Sequence, residues 1–249
     1  MPSFGLVYVP TPTSSEPSFM KLQPVVLVPG LFCTPRLYAE QIPALWQFGP
    51  VTVADHRRDN TMTDIARNIL NNAPPSFALV GLSMGGYIAL EIMRLAPERV
   101  SKLALMDTTA RPDAPEQTKV RNEQIALARS GGYGKIPYAA MPMLIHRHED
   151  TALRGIIVQM AVETGADAFI RQQQAIIGRA DSRPLLAQIR CPTLVLVGEQ
   201  DRLIPPDRSQ ELATGIVGSR YVTIPDCGHV STIEQPQATT QALVEWMRE

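Results

Sequence analysis

Residues 80–93 read VGLSMGGYIALEIM, an apolar run broken at Gly81, Ser83, Gly85 and Gly86 that then resumes. Upstream, SFALVGL (76–82) lacks polar alternation, which is how a strand buried on both faces reads, and Pro74 and Pro75 mark its start. Downstream, Tyr87, Ile88, Leu90, Ile92 and Leu95 recur near helical spacing up to Pro97. The segment is therefore strand, abrupt turn and helix, with Ser83 at the corner.

Working outward, similar short runs rich in Val, Leu and Ile occur at PVVLVPG (24–30), VTVADH (51–56), KLALMDT (102–108), PTLVLVGEQD (192–201) and RYVTIPDCGH (220–229). Helical patterns separate them, so the connections are crossovers. The expected fold class is α/β, a mostly parallel central sheet with helices on both faces. A long gap between the runs ending at 108 and starting at 192 holds three helical patterns punctuated by GGYGKIP and MPM. It is read as a helical cap over 111–183, inserted into a core formed by 1–110 and 184–249. Residues 1–21 include PTPTSSEPS and read as a loose arm or an edge strand, FGLVYV, without the basic start and apolar centre of a secretory signal.

The 23 basic and 24 acidic side chains nearly cancel, giving a formal charge of -1, so nucleic acid and anionic membrane surfaces are not expected partners. A small-molecule substrate is, while monomer and homodimer both stay open. Cys33, Cys191 and Cys227 are far apart and odd in number, which is neither a disulfide framework nor a zinc signature. A cytoplasmic location, no metal and no cofactor are the corresponding expectations. No apolar run approaches the ~20 residues that span a bilayer.

Gly81-Leu82-Ser83-Met84-Gly85 fits the G-x-S-x-G pattern, in which a sharp turn pushes a serine hydroxyl out above the sheet. Glycines flank the corner because side chains there would collide with the neighbouring strand or helix. Serine at its ordinary pKa is a poor nucleophile and needs a base. Of the four histidines, His229 alone follows the serine on a loop after a strand, at the carboxyl end where open α/β sheets bind ligands. His56, His146 and His148 are read as surface or structural residues. The orienting carboxylate is expected between serine and histidine in the chain, where Asp201, at the end of the penultimate strand, is the first candidate. Asp107 is its rival; Asp226 and Glu199 read as turn residues. The amides of Met84, after the nucleophile, and Leu31, after the first strand, are the candidate donors to a developing oxyanion.

The strand–elbow–helix segment, PGLF, GEQDRLIPP and GHVSTIEQP together resemble the α/β-hydrolase family, particularly small carboxylesterase-like members with a cap between the sixth and seventh strands. The resemblance runs from about residue 22 to 248. It implies Ser83 as nucleophile, His229 as base, Asp201 as acid, and Leu31 and Met84 as the oxyanion hole. Two departures stand out: Pro29-Gly30 replaces the His-Gly of many relatives, and the usual N-terminal hairpin is shortened. Ester, lactone, thioester or carbon–carbon cleavage, a cofactor-free lyase, and a catalytically weak binding protein all share this layout. An apolar acyl or ring substrate is expected beside Leu31 and Phe32 and under AAMPMLI (139–145), with Met141 and Met143 as lining residues and Met160 as a further flexible side chain able to line the pocket. Arg57, Arg58, Arg171 and Arg183 are the arginines considered for a substrate carboxylate.

Overall fold

The structure, a computed structural model, describes residues 22–249. The arm over 1–21, with the expected FGLVYV strand, lies outside the described residues. Six strands form one sheet: β1 (Val25–Val28), β2 (Val51–Val53), β3 (Phe77–Leu82), β4 (Val100–Met106), β5 (Thr193–Gly198) and β6 (Arg220–Ile224). Their order is β2-β1-β3-β4-β5-β6, and every adjacent pair is parallel. The sheet places successive side chains on opposite faces, and each face has its own core. Val25 and Leu27 join one cluster with Leu243 and Trp246. Val26 and Val28 join the other with Ile65 and Ile88.

Eleven helical segments are described as α-helix: α1 (Ile42–Leu45), α2 (Met62–Asn72), α3 (Met84–Leu95), α4 (Pro115–Leu127), α5 (Ile136–Leu144), α6 (Thr151–Thr164), α7 (Ala166–Ile177), α8 (Arg183–Leu186), α9 (Pro206–Gly215), α10 (Ser231–Glu234) and α11 (Pro236–Arg248). α4 to α7 lie between β4 and β5, the fourth and fifth described strands. Among the described residues no helix is long and apolar enough to cross a membrane.

Chain order reverses direction between β1 and β3. The chain leaves β1 for β2 on one side, then returns to β3 on the other. Loops leaving two such strands diverge, and the crevice they open at the carboxyl edge is where this architecture binds ligands. The loop after β1 carries Leu31, and Ser83 directly follows β3, so both face that crevice.

Contact between α3 and β1 depends on Gly85. A Cβ there would run into the Val28 carbonyl and approach the Pro29 carbonyl, and neither backbone atom can move without shifting the sheet. Gly85→Ala is expected to destabilise the fold by about 1–3 kcal/mol through overpacking. Denaturant unfolding will read this as a lowered midpoint, and an unchanged midpoint would mean that α3 is free to lift away.

Candidate active site

Ser83 occupies the corner with φ 57° and ψ −116°, a conformation that strains any non-glycine residue. Its backbone is pinned from three sides. Its N–H donates to Met106 O (2.9 Å), while its carbonyl accepts from the Thr108 hydroxyl (2.8 Å) and the Gly86 amide (2.9 Å). The hydroxyl is thereby held out from the sheet toward His229.

His229 follows β6 on a loop that is tied down locally. Its N–H donates to Leu144 O at the end of α5 (2.9 Å), and the Gly228 amide donates to the buried Glu234 carboxylate (2.6 Å). Glu234 also accepts from the amides of His146 and Arg147, which links the loop to the α5–α6 connection. The sequence reading missed Glu234, whose only signal was an acidic residue inside GHVSTIEQP.

His229 Nδ1 lies 2.8 Å from Asp201 Oδ2, and Nε2 lies 2.8 Å from Ser83 Oγ. Because a carboxylate only accepts, Nδ1–H is the donor to Asp201, which leaves Nε2 to accept from the Ser83 hydroxyl. Asp201 Oδ1 takes the amides of Leu203 and Ile204, both at 2.9 Å. Asp201 and His229 are buried, at 3% and 2% exposure. Burial pushes the His229 pKa down. The charge of Asp201, its hydrogen bond and the charge of Asp107 outweigh that effect, and the net direction is up.

Asp107, the rival carboxylate, does not bond the imidazole. It is fully buried at φ 47°, where Oδ1 accepts from the Gly198 amide (2.9 Å) and Oδ2 from the Ser231 hydroxyl (2.6 Å). Burial, and then the charge of Asp201, raise its pKa to about 7, against the lowering effects of His229, Ser231 and Gly198. Asp226 is an exposed turn residue at φ 49°, and Glu199 is exposed and bonded to Gln200.

A pH dependence follows. The imidazole must be neutral to accept a proton, so the acidic limb of kcat/KM for a process using His229 is expected above the ordinary 6.5. Asp107→Asn removes a negative charge that helps hold the imidazolium, so the limb should move to lower pH. A limb that stays in place in that variant would show that Asp107 is screened from His229.

Gly30 stands beside the serine, since a Cβ added to it would lie 3.4 Å from Ser83 Cβ. The next residues form a tight turn closed by Cys33 N–H to Gly30 O (3.2 Å), with Phe32 at φ 48°. Gln172 of α7 accepts the Phe32 amide (3.1 Å), and His56 Nε2 contacts Gly30 O (2.9 Å). His56 is thus buried behind this turn rather than on the surface. Among the described residues the Leu31 amide has no acceptor, and the Met84 amide, first in α3, has none within its helix. Cys33 is no competing nucleophile: burial, only partly offset by a backbone hydrogen bond, pushes its thiol up to about 12.

A cavity of about 540 Å³ opens at Ser83 and His229. Leu31 and Phe32 line it, but Met141 and Met143 do not, which corrects the sequence expectation. α5 turns Ile136, Ala140 and Leu144 to the cavity. Met141 follows Ala140 and Met143 precedes Leu144, so each is rotated by about 100° off that face. Met141 is consequently packed in the core, and Met143 is 42% exposed. Met160 of α6 is the methionine that lines the cavity. None of the arginines considered earlier reaches it: Arg57 and Arg58 pair with Asp55, Arg183 pairs with Asp181, and Arg171 bonds the Arg57 carbonyl. Arg111, Arg121, Arg179 and Arg208 line it instead. His146 and His148 lie outside it, and among the described residues no cluster of His, Cys, Asp or Glu could hold a metal ion.

A parallel sheet covered on both faces, with a strained serine at a strand–helix corner facing a cavity, places the protein among the α/β folds of hydrolase type. The sequence model of the alpha/beta hydrolase family matches residues 25–242, and the chain belongs to that family. It is similar to the Mycobacterium tuberculosis protein BpoC, named for non-heme bromoperoxidases, with 30% identity over 175 residues. That match covers 68% of this chain and 66% of the relative, just under two thirds of its length. The pimeloyl-[acyl-carrier protein] methyl ester esterase of Neisseria meningitidis serogroup B is 25% identical over 209 residues, 80% of this chain and 81% of that protein. Among solved structures, a thermophilic esterase from Thermogutta terrifontis superposes with TM-score 0.83 at 31% identity, covering 91% of this chain and 89% of that one. The enol-lactonase of Burkholderia xenovorans LB400 gives TM-score 0.84 at 26% identity, covering 92% of both.

Proposed function

We propose that the protein is a serine hydrolase of carboxylic esters, lactones included, working through an acyl-enzyme on Ser83. The observation that carries this reading is the unbroken chain Ser83 Oγ, His229, Asp201, with 2.8 Å at each link, ending on a cavity. Ser83 Oγ attacks the ester carbonyl carbon while His229 Nε2 takes its proton. The carbonyl π electrons move to oxygen, and the Leu31 and Met84 amides receive that charge, helped by the positive end of α3. When the intermediate collapses, the bond to the alkoxy oxygen breaks and His229 returns the proton to the departing alcohol. Water then repeats the sequence, with His229 again as base, and releases the acid and free Ser83. Asp201 keeps the imidazole in the tautomer that can accept from serine, and its charge offsets that of the imidazolium.

The inserted helices α4 to α7 act in this reading as a cap over a small-molecule substrate. Esterase and enol-lactonase relatives support acyl transfer to water as the reaction class. A fluorophosphonate probe tests it directly by covalent capture of Ser83, read by peptide mass. p-Nitrophenyl esters of rising chain length, with lactones and thioesters beside them, then measure turnover. The absence of both labelling and turnover of all of these would overturn the reading.

A further inference from the structure

The cavity has two unlike walls. On one side Phe32, Leu144, Ile157 and Met160 present apolar surface continuous with the core. On the other, Arg121 of α4 and Arg179, just past α7, reach the same space. Both guanidinium groups converge on one carboxylate, Asp113: Arg121 Nε donates at 2.6 Å and Arg179 Nη1 at 2.5 Å. The Asp113 side chain is 1% exposed, that of Arg179 6% and that of Arg121 19%. Two positive charges therefore share one negative charge, with Asp113 and Arg179 buried and Arg121 only partly reached by water. Among the described residues no second carboxylate lies within 4.0 Å of either arginine. Their remaining partners are neutral: Gln173 Oε1 takes Arg121 Nη1 at 2.8 Å, and the carbonyls of Arg111 and Ile176 take Arg179. Arg111 and Arg208, which also line the cavity, are matched by Glu211 at 2.8 Å and Asp207 at 3.7 Å, and Glu116, the acidic residue of the lining, is in no ion pair.

A net positive charge in a poorly solvated site is costly unless a counter-charge joins it. Arg179 is held by its bonds to Asp113 and to the Arg111 and Ile176 carbonyls, and its guanidinium lies 4.3 Å from the ring centroid of Tyr87. Tyr87 lines the cavity one helical turn after Ser83, so the arginine cluster and the nucleophile share one cavity.

We propose that the cavity takes an ester whose far end carries a carboxylate, received by the Arg121–Arg179 pair, with the apolar opposite wall covering the stretch between carboxylate and ester. The inference rests on the ester-hydrolase reading. A carboxylate fits better than a phosphate monoester, because the Arg121–Arg179–Asp113 cluster carries a single surplus positive charge and the unpaired Glu116 on the same cavity lining disfavours a dianion further. The Nε–Nη2 edge of Arg121 holds Asp113, so an incoming carboxylate is received by the N–H groups that Asp113 and Gln173 leave free.

The test compares kcat/KM for monomethyl esters of dicarboxylic acids, from succinate to sebacate, with methyl esters of monocarboxylic acids of equal chain length. At the best length the half-ester should be preferred on the order of tenfold or more, and added salt should reduce the preference less than it would at an exposed pair. In Arg121→Gln the ratio should fall to near one, and Arg121→Lys should restore part of it. The ratio is unaffected by any loss of folded enzyme, so a poorly folding variant cannot mimic the result. A wild-type ratio of one or below at every length overturns the proposal, as does a stronger preference for an ω-phosphate ester. If no methyl ester of either kind turns over and the fluorophosphonate, p-nitrophenyl ester, lactone and thioester tests fail as well, the ester-hydrolase reading is what fails. Calorimetry on Ser83→Ala then decides the carboxylate site: the half-ester binds Ser83→Ala and not Ser83→Ala with Arg121→Gln, or the proposal falls.

Discussion

Ser83→Ala is expected to lose ester hydrolysis by on the order of 10³-fold or more in kcat while remaining folded. The hydroxyl has one side-chain partner, His229 Nε2, and the remaining contacts at this residue are backbone bonds to Met106, Thr108 and Gly86 that alanine keeps. Stability should therefore change by less than about 1 kcal/mol, as at positions where nothing large is removed from the core. The loss falls on kcat because the deleted atom forms the new bond, and fluorophosphonate labelling should vanish with it. Activity kept within tenfold of the unmodified protein would show that another group is the nucleophile. Loss of activity together with unfolding would show instead that the corner needs the hydroxyl for its own geometry.

Asp201→Asn should be similarly severe, with kcat down by up to about 10⁴-fold, the loss seen when a triad acid becomes an amide. The substituted side chain keeps an oxygen for the Leu203 and Ile204 amides, so the loop after β5 should hold its shape. What changes is the atom facing His229 Nδ1. An amide nitrogen there donates, so Nδ1 must accept, the ring proton moves to Nε2, and Ser83 faces a donor that cannot take its proton. Asp107→Asn makes the complementary case. Its contacts are the Gly198 amide and Ser231, and none is the imidazole, so kcat above the acidic limb should stay within about tenfold of the unmodified value while the limb moves to lower pH. If Asp107→Asn is the crippled variant and Asp201→Asn is nearly normal, the assignment of the acid reverses.

The choice between these two carboxylates shows where local pattern stops. Both follow a strand and both lie between serine and histidine in the chain, so chain order does not separate them, and the preference for Asp201 rests on its strand lying beside the histidine loop. Only the packed sheet turns Asp201 toward Nδ1 and Asp107 toward Gly198 and Ser231. Strand ends were similarly inexact. KLALMDT was read over 102–108 and RYVTIPDCGH over 220–229, whereas β4 begins at Val100 and ends at Met106 and β6 stops at Ile224. Those tails leave the ladder to become the loops that carry Asp107 and His229, and apolar content does not reveal where pairing ends.

The sequence alone determined the features that are local along the chain. Glycine at 81, 85 and 86 around Ser83 demands a close approach of helix to sheet, and the strand and helix periods flanking it set an α/β layering, because both signals concern residues a few positions apart. The occupants of the cavity wall were decided by tertiary structure. Met141 and Met143 differ from the lining residues Ala140 and Leu144 by one position each, and only the rotation of α5 against its neighbours separates them. Gln172 meets Phe32 across 140 positions, and Arg179 meets Asp113 across 66. Such pairs have no period in the sequence to betray them. They form because elements distant in the chain pack side by side, where burial makes an unpaired amide or an unmatched charge costly enough to fix each side chain on a single partner.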